Sequence, residues 1–258
     1  MLERLTEVLS KTVQYAFLPL QFHQRFLKII ELTFSQRGLV AELIRLKPHQ
    51  HWFQHMGIQT ILDVGANTGP FAFAMRTLLP DAQIYSFEPL PDCHARLVAN
   101  LSPYGKFQAF CTAVGEKSGD LTFYRSSFAE SSSALPMGAL HKSSFPWTAE
   151  NIPIQVPVAR LDDFLPVMKL QGATLLKIDV QGYEDRVLRG ATQTLEQVQA
   201  VMTEVSYQPL YEGQVLFEGM YDFMLSHGFH YVGTLESLFS PLDGSILQSD
   251  ALFIRNQS

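Results

Sequence analysis

The sequence predicts an α/β fold in which a mainly parallel β-sheet carries helices on both faces. From Gly57 onward, short apolar runs typical of buried strands alternate with segments of helical spacing. A glycine-containing turn follows the first run, and the last two runs succeed each other without a helix between them. We therefore expect seven core strands ending in a hairpin, within a domain over residues 57–258 preceded by a helical extension over residues 1–56.

The alternation places each strand and helix of the main domain. The predicted core strands span residues 60–64, 83–87, 107–114, 174–180, 200–205, 229–233 and 251–255. The predicted helices span residues 71–79, a segment that starts near Pro91, a short segment that ends at Gly190, and residues 215–227. Extra strands at 121–125 and 156–161 flank a serine-rich stretch, residues 126–144, which we interpret as a mobile loop over a pocket.

The extension over residues 1–56 shows apolar side chains at helical spacing, for example at Leu39 and Leu43. We interpret it as a helical cap packed on the main domain. The alternative is an interfacial or partner-binding helix, or a contact between copies of the chain, because Phe22 and Phe26 lie close to basic residues. The number of basic residues is too low to favour that alternative.

A glycine turn between a strand and a helix is the first sign of a ligand site. Residues 61–69 read Ile-Leu-Asp-Val-Gly-Ala-Asn-Thr-Gly. Gly65 and Gly69 would let the backbone come close to a ligand, and the N–H groups that open the following helix would point at it. Glu88 ends the second strand, where a carboxylate can accept hydrogen bonds from both hydroxyls of a ribose. The turn therefore predicts a nucleoside ligand.

Two nucleoside ligands compete for this turn. A dinucleotide would require three glycines to seat its pyrophosphate, and here Asn67 stands where the middle glycine would be. Asp63, just before the turn, would repel a pyrophosphate but would suit the amino group and sulfonium of S-adenosylmethionine. The pattern favours the methyl donor over a nicotinamide cofactor.

Composition narrows the partners and the compartment. A net charge of −6 and the lack of a basic run interleaved with aromatic residues argue against a nucleic-acid substrate. Cys93 and Cys111 lack metal-type spacing, and Cys111 falls in an apolar run, so we expect a buried free thiol there. The amino terminus has no signal-type apolar core, and no segment reaches the ~20 apolar residues of a membrane span. We therefore predict a cytoplasmic protein without a transmembrane segment.

Four short motifs follow one another along the chain. They are Asp-Val-Gly-Ala-Asn-Thr-Gly at 63–69, Phe-Glu-Pro at 87–89, Ala-Val-Gly at 113–115 and Lys-Ile-Asp-Val-Gln-Gly-Tyr-Glu at 177–184. Together with Glu204 and residues 250–255, they resemble the S-adenosylmethionine-dependent methyltransferases of the FkbM type over residues 57–255. The fourth motif departs at Gln181, where that family more often has glutamate.

The resemblance implies a seven-stranded, Rossmann-like methyltransferase sheet and transfer of a methyl group to a hydroxyl of a small molecule, sugar, glycolipid or polyketide-like acceptor. It implies that residues 63–69 hold the methionine end of S-adenosylmethionine, Glu88 the ribose, and Ala113 and Val114 the edge of the adenine. The predicted cofactor residues are Asp63, Gly65, Ala66, Asn67, Thr68, Gly69, Phe87, Glu88, Pro89, Ala113, Val114 and Asp179.

Candidate catalytic residues stand at the carboxyl ends of the fourth and fifth core strands. Asp179 is the first candidate for the general base that takes the acceptor proton, and Glu204 for orienting the acceptor. Lys177 lies inside a buried strand, so a structural ion pair is as good an interpretation as catalysis. A divalent cation between the two acids is a less favoured alternative, and no resident metal is predicted. His141, in the serine-rich stretch, is a weaker candidate base.

Two other functions stay open on the residues alone. One is an oxidoreductase that uses a nicotinamide cofactor, which Asn67 and the terminal hairpin disfavour. The other is a catalytically idle nucleoside-binding module that acts through its helical extension. The acceptor pocket is expected to involve Tyr207 and Tyr211 or the stretch 126–144, although solvated loops would look the same in sequence.

Overall fold

The computed structural model describes residues 37–256, which form two β-sheets and the helices around them. The strands are β1 Ile58–Val64, β2 Gln83–Phe87, β3 Phe107–Phe110, β4 Ala113–Val114, β5 Gly119–Ser126, β6 Asn151–Ala159, β7 Ala173–Ile178, β8 Ala200–Ser206, β9 Phe229–Phe239 and β10 Ile246–Arg255. The α-helices are α1 Arg37–Leu46, α2 Gln50–His55, α3 Pro70–Leu78, α4 Pro91–Leu101, α5 Ala139–Ser144, α6 Glu184–Arg189, α7 Thr192–Leu195 and α8 Phe217–Ser226.

The main sheet has seven strands in the order β3-β2-β1-β7-β8-β10-β9, as the number of apolar runs predicts. Strand β10 is antiparallel to both of its neighbours, and the other pairs are parallel. The chain builds outward from β1 to β3 and then returns to the other side of β1 at β7. This reversal opens a crevice at the carboxyl ends of the parallel strands, which is where ligands bind in open α/β sheets.

Helices cover both faces of the main sheet, which confirms the predicted α/β fold. On one face, α1 to α4 bury Leu46, Phe53 and Met75 against β1, β2 and β7. On the other, α6 to α8 bury Leu188 and Met224. Because Leu46 and Phe53 belong to the same core as α3, the described end of the extension is packed on the main domain. Phe22 and Phe26 lie outside the described residues.

The third predicted strand is wrong as one continuous element. Its first part, β3, pairs with β2, but β4 leaves the main sheet and pairs with β6 in a second sheet of order β4-β6-β5. Between them, the Thr112 hydroxyl donates to the carbonyl of Pro157 at 3.1 Å, which ties the chain to β6. Cys111 lies at this break and is exposed, so the expected buried thiol is Cys93 instead. An apolar run cannot reveal that its strand changes partner.

The stretch 126–144 is not an open mobile loop. It contains a 3₁₀ turn, Ala129–Ser131, and helix α5, and all three residues of the triple-serine segment are buried. Two serine hydroxyls satisfy nearby backbone: Ser132 Oγ accepts from the Ser126 N–H, and Ser133 Oγ from the Leu135 N–H. The polar side chains that suggested a solvated loop instead form hydrogen bonds with backbone N–H groups inside a compact, buried turn.

Among residues 37–256, no helix combines the length and apolar character needed to cross a bilayer. The cytoplasmic compartment stays a prediction.

Candidate active site

A cavity of about 590 Å³ lies at the crevice where the strand order reverses. Its volume falls in the range of ~300–1,000 Å³ that is usual for small-molecule sites. The sequence-predicted residues in its wall are Gly65, Ala66, Asn67, Phe87, Glu88, Pro89, Ala113, Val114, Lys177 and Asp179. Of the other predicted site residues, Asp63, Thr68, Gly69 and Glu204 stand outside the wall.

The two glycines of the turn after β1 make room for neighbouring chain. Gly65 has φ +80°, and a Cβ there would lie 1.8 Å from the carbonyl oxygen of Asp179. Gly69 has φ +95°, and its Cβ would lie 2.8 Å from a methyl carbon of Leu97 in α4. These glycines therefore allow β1 to pack against the end of β7 and against α4. Gly65 also lines the cavity, and its role in close approach to a ligand stays a prediction.

The rest of the turn is fixed by backbone hydrogen bonds. The N–H groups of Gly65 and Ala66 both donate to the carbonyl of Phe87 at 3.0 Å. The carbonyl of Thr68 accepts from Asn100 Nδ2 at 2.9 Å, which holds Thr68 toward α4 and away from the cavity. The turn thus presents Gly65, Ala66 and Asn67 to the cavity as a rigid edge.

Glu88 lies in the cavity wall at the end of β2, where the sequence placed it. Its side chain is 5% exposed, and its two oxygens accept hydrogen bonds from the backbone N–H groups of Asn67 and Leu90, each at 2.8 Å. Burial raises the pKa of Glu88 to about 7, although these two hydrogen bonds oppose the rise. Each carboxylate oxygen keeps a second lone pair, so the group can still accept from ligand hydroxyls.

An apolar slot adjoins Glu88. The ring of Phe87 stacks on Phe110 with centroids 4.9 Å apart, and Val114 of β4 borders the same part of the cavity. Leu121 and Phe123 of β5 also line the cavity. The sequence identified β5 as a strand but gave no sign that it would face the site, because the second sheet that brings it there is not visible in local patterns.

An ion-pair cluster lies beneath the turn. Lys177 Nζ is 3.5 Å from Asp63 Oδ1 and 3.5 Å from Asp179 Oδ2, and it donates to the carbonyl of Gly65 at 3.3 Å. Asp63 is fully buried, which raises its pKa, while the Lys177 charge opposes the rise. Burial alone would lower the pKa of Lys177, but the two carboxylates outweigh it and raise that pKa. Asp63 therefore holds Lys177 in the cavity wall from behind and does not itself line the cavity.

Asp179 and Glu204 are close together, as their positions at strand ends predict, but they face different surroundings. The Asp179 side chain is 38% exposed and lines the cavity. Gln181 Nε2 donates to Asp179 Oδ1 at 2.9 Å and to Glu204 Oε2 at 3.1 Å. Burial and the neighbouring Asp179 raise the pKa of Glu204 well above its ordinary value. Glu204 therefore stands behind Gln181 and supports the site from outside.

The opposite wall is formed by residues that the sequence did not single out. Glu42 and Arg45 of α1, Glu236 of β9 and Asp250 of β10 line the cavity. Arg45 makes ion pairs with all three acids, at 3.4 Å for Glu236. Glu42 and Arg45 are three positions apart in α1, a spacing at which an ion pair on a helix can be predicted from sequence. Glu236 and Asp250 come from the far end of the chain. Their meeting depends on the tertiary fold.

His141, Tyr207 and Tyr211 do not line the cavity. Of the stretch 126–144, four residues do: Ala129, Glu130, Ser132 and Ala134. His141 is buried between the rings of Phe145 and Tyr211, and burial lowers its pKa to about 4, so it is neutral. Tyr211 is fully buried, and its hydroxyl donates to Gln181 Oε1 at 2.9 Å. Within residues 37–256, no group of three or more histidine, cysteine or acidic side chains could hold a metal ion. Between the two strand-end acids, the Gln181 amide occupies the place that a shared cation would need.

A sequence model described as the Methyltransferase FkbM domain matches residues 63–231, well over half of the chain. The chain belongs to the FkbM methyltransferase family. Its match to 2-O-methyltransferase NoeI of Sinorhizobium fredii is 33% identical over 172 residues, covering 64% of this chain and 71% of that protein. Methyltransferase 1 of Beauveria bassiana is 32% identical over 142 residues, with 50% and 57% coverage. Hexuronic acid methyltransferase AglP of Haloferax volcanii is 29% identical over 144 residues, with 55% and 54% coverage.

This FkbM protein spans a little over half the length of the last two relatives. Membership confirms the resemblance of the four motifs and makes the protein an S-adenosylmethionine-dependent methyltransferase. It decides between the three functions in favour of the first, against a nicotinamide-dependent oxidoreductase and against an idle nucleoside-binding module.

Proposed function

We propose that this protein transfers the methyl group of S-adenosylmethionine to a hydroxyl of a sugar-like acceptor, with Asp179 as the general base. The relatives support the acceptor class by their names, a 2-O-methyltransferase and a hexuronic acid methyltransferase. The single observation that carries the proposal is the position of Asp179. Its carboxylate lies in the cavity wall, beside the turn of β1, and is held there by Lys177 and Gln181.

The residues of the cavity fit the methyl donor. Glu88 offers its free lone pairs to the ribose hydroxyls, and the apolar slot between Phe87 and Val114 suits the adenine. Pro89 and Ala113 close this end of the cavity. At the other end, the edge formed by residues 65–67 leads to Asp179, so the methionine end of the donor would lie between the turn and the base.

The chemistry then depends on alignment and on one proton transfer. The bound donor supplies an electrophilic methyl group, and the protein holds the acceptor oxygen in line with it. The acceptor proton passes to the Asp179 carboxylate as the new carbon–oxygen bond forms and the methyl–sulfur bond of the donor breaks, which leaves a neutral thioether. The proton then passes from Asp179 to water at the cavity mouth. A positioned base contributes ~10²-fold or more to such a step. Lys177 keeps the carboxylate in place without entering the cavity space itself.

The charge of the cavity favours an acceptor without a carboxylate. Six acids line it, Glu42, Glu88, Glu130, Asp179, Glu236 and Asp250. Against these, the lysine and arginine residues that line it within the described chain are Lys177 and Arg45, and both are already ion-paired. A uronate would meet net repulsion here, whereas neutral hydroxyls can donate to the carboxylates. We therefore propose a neutral glycoside or polyol as acceptor.

The test uses isotopically labelled S-adenosylmethionine and a panel of neutral glycosides, with the wild-type protein and Asp179→Asn. We expect labelled methyl ethers from the wild type and a loss of at least ~10²-fold in rate for the variant. Donor affinity, measured by isothermal titration, should stay within about threefold because Asp179 is not proposed to hold the ribose or adenine. Full activity of Asp179→Asn would remove the base from the proposal. A wild type that methylates no hydroxyl would remove the acceptor class.

A further inference from the structure

Gln181 spans the two carboxyl groups at the ends of β7 and β8. It is the third residue after β7 and has φ +58°, an uncommon conformation for a side chain of this size. Both hydrogens of its amide are used, one toward Asp179 Oδ1 at 2.9 Å and one toward Glu204 Oε2 at 3.1 Å. Gln181 also lines the cavity. A left-handed residue with a fully engaged side chain at a reaction centre indicates a functional constraint.

The orientation of this amide is fixed by chemistry on both sides. Gln181 Oε1 accepts from the Tyr211 hydroxyl at 2.9 Å. The reverse orientation would place the amide oxygen beside Asp179 Oδ1 and the amide nitrogen beside the Tyr211 hydroxyl, so the observed orientation gives the better match of donors and acceptors. Tyr211 is itself fully buried, and its hydroxyl also lies 3.2 Å from the carbonyl of Ser131. The amide is therefore locked from behind by a buried phenol.

The backbone of the same loop is held as firmly. The Ser133 hydroxyl donates to the carbonyl of Gln181 at 2.6 Å. The N–H groups of Val180 and Gly182 both donate to Glu184 Oε1, at 3.0 and 3.1 Å. The triple-serine segment, residues 131–133, thus contacts the loop that carries Asp179 through Gln181. Hydrogen bonds therefore hold both the backbone of this loop and the Gln181 side chain in place.

We propose that Gln181 is a positioning residue for methyl transfer, which aims the Asp179 carboxylate at the acceptor hydroxyl and separates it from the Glu204 carboxyl. The inference rests on the proposed role of Asp179 as base. With Oδ1 occupied by Gln181, Asp179 presents Oδ2 beside Lys177. A well-directed base needs its reacting oxygen within hydrogen-bond reach of one particular proton. The amide removes the rotation that would turn Oδ2 away.

A glutamate at position 181 would change this balance of charge. Seven titratable groups interact electrostatically with Asp179: Asp63, Glu130, Lys177, Glu184, Glu204, Tyr211 and Asp250. Five of these seven are carboxylic acids, and the Gln181 amide contributes two donors without a charge. Replacing the amide by a third carboxylate between Asp179 and Glu204 would make the cluster hold its protons to higher pH. The rate would then need a higher pH to reach its maximum.

Two variants and a matched control test the proposal with the full-length protein, labelled S-adenosylmethionine and a neutral glycoside that the wild type methylates. Gln181→Asn tolerates the left-handed backbone but is one methylene too short to reach both acids. We expect its kcat to fall ~10- to 100-fold, with donor affinity within about threefold and an unfolding midpoint near the wild-type value. Gln181→Glu should move the acidic limb of the pH–rate profile upward by about one pH unit.

The control is Gln155→Glu, because Gln155 makes one exposed hydrogen bond to Thr122 in the second sheet and lies outside the cavity. It should leave kcat and the pH profile unchanged. If Gln181→Asn lowers the unfolding midpoint, Tyr211→Phe replaces it, since that change frees the amide without altering the loop. A fall in kcat at constant donor affinity then supports the proposal, and an unchanged kcat overturns it.

Wild-type kcat and pH dependence in both Gln181 variants would overturn the proposal. So would a loss of donor affinity that matches the loss of kcat, in Gln181→Asn or in Tyr211→Phe where that variant replaces it, because this would mark a purely structural residue. These outcomes are separate from failure of the proposed function. If Asp179→Asn is fully active, the base is wrong; if Asp179→Asn is inactive and both Gln181 variants are fully active, only the positioning role is wrong.

Discussion

The two ends of the cavity are built in opposite ways. The end we assign to the donor is apolar around a single carboxylate, Glu88, and comes from β1, β2, β4 and β5, which all lie within residues 58–126. The end we assign to the acceptor is a network of charges, in which Arg45 of α1 pairs with Asp250 of β10, 205 positions away. Asp179 lies where the two ends meet.

The difference shows that the geometry of the donor end can stay the same while the charge of the acceptor end varies. Nearby chain segments can place a nucleoside with a few glycines and one acid, because the strand–turn–helix geometry does most of the positioning. An end assembled from the two distant parts of the chain has no such constraint. Changes in α1 or in the β9–β10 hairpin can alter its charge without moving the donor residues. Five predictions test this division.

The largest expected effect concerns the turn that joins the two ends. Gly65→Ala should lower the free energy of unfolding by ~3 kcal/mol or more, because the added Cβ meets the Asp179 carbonyl in a left-handed backbone conformation. Gly57→Ala is the control: Gly57 has φ +67° but nothing within 4 Å of an added Cβ, so only ~1 kcal/mol should be lost. Urea unfolding measures both. Equal losses would show that the close approach of Gly65 to β7 is unimportant.

The second prediction isolates the donor end. Glu88→Gln should weaken S-adenosylmethionine binding by ~10²-fold, since two charge-assisted hydrogen bonds to the ribose become neutral ones. The kcat at saturating donor and the KM for acceptor should change by less than about threefold, because the acceptor lies at the other end. Titration calorimetry and steady-state kinetics give these values. An unchanged dissociation constant would show that Glu88 does not hold the ribose.

The third prediction uses the pH dependence of the same residue. With its pKa at about 7, Glu88 is protonated at pH 6 and ionised at pH 8. Donor affinity should therefore fall ~10-fold from pH 8 to pH 6 in the wild type and stay flat in Glu88→Gln, as calorimetry at several pH values would show. A wild-type affinity that is equally flat, or that rises toward acid, would contradict the assignment.

The same raised pKa also affects folding stability, and in the opposite direction: donor affinity rises with pH, whereas the Glu88 contribution to the free energy of unfolding falls. Burial raises the pKa of Glu88 and of Glu184 to about 7 in the folded protein, so between their ordinary values and pH 7 the folded state binds protons that the unfolded state does not. Their contributions to the free energy of unfolding therefore fall as pH rises through that window. The lowered pKa of His141 acts in the other direction below pH 6.5. Comparison of Glu88→Gln with wild type at pH 5 and pH 8 isolates the Glu88 part.

The smallest expected effect concerns the acceptor end. Glu236→Lys should raise the ratio of kcat/KM for a hexuronate over the matching neutral hexoside by ~5- to 10-fold, because one acidic charge in the wall becomes basic. Donor affinity should not change. Glu218→Lys is the control, since Glu218 is an exposed acid of α8 outside the cavity. A wild type that prefers the hexuronate would contradict the proposed acceptor charge.

Most of the fold could be predicted from the sequence because each core strand is a short apolar run with a turn or helix beside it. Strand β2 has the expected bounds, and β1, β7 and β8 are within two residues of them. The failure at 107–114 has a specific cause, since β3 and β4 belong to different sheets although the run between them is apolar. The β9–β10 hairpin is longer than predicted because β9 alternates between exposed and partly buried residues, and because β10 begins with polar residues that are buried, Gln248 and Ser249.

The site could be predicted only where its residues are close in sequence or carry a family motif. Glu88, Val114 and Asp179 were identified in this way, and all three line the cavity. Arg45 and Asp250 were not, because nothing local to either residue indicates the other. Asp63 was predicted to lie inside the pocket, but it is buried behind the cavity wall in an ion pair with Lys177. The local sequence cannot distinguish an acid that contacts a ligand from one that pairs with a buried lysine.

The near-contact between Gly65 and the Asp179 carbonyl has a kinetic consequence. The turn that we assign to the nucleoside and the carboxylate that we assign to the proton are packed directly against each other. Lys177 connects them, because it donates a hydrogen bond to the Gly65 carbonyl and forms an ion pair with Asp179. Seating the donor therefore sets the geometry that the second substrate meets. Such an enzyme should follow a compulsory order, in which the sulfonium compound enters first and its demethylated product leaves last.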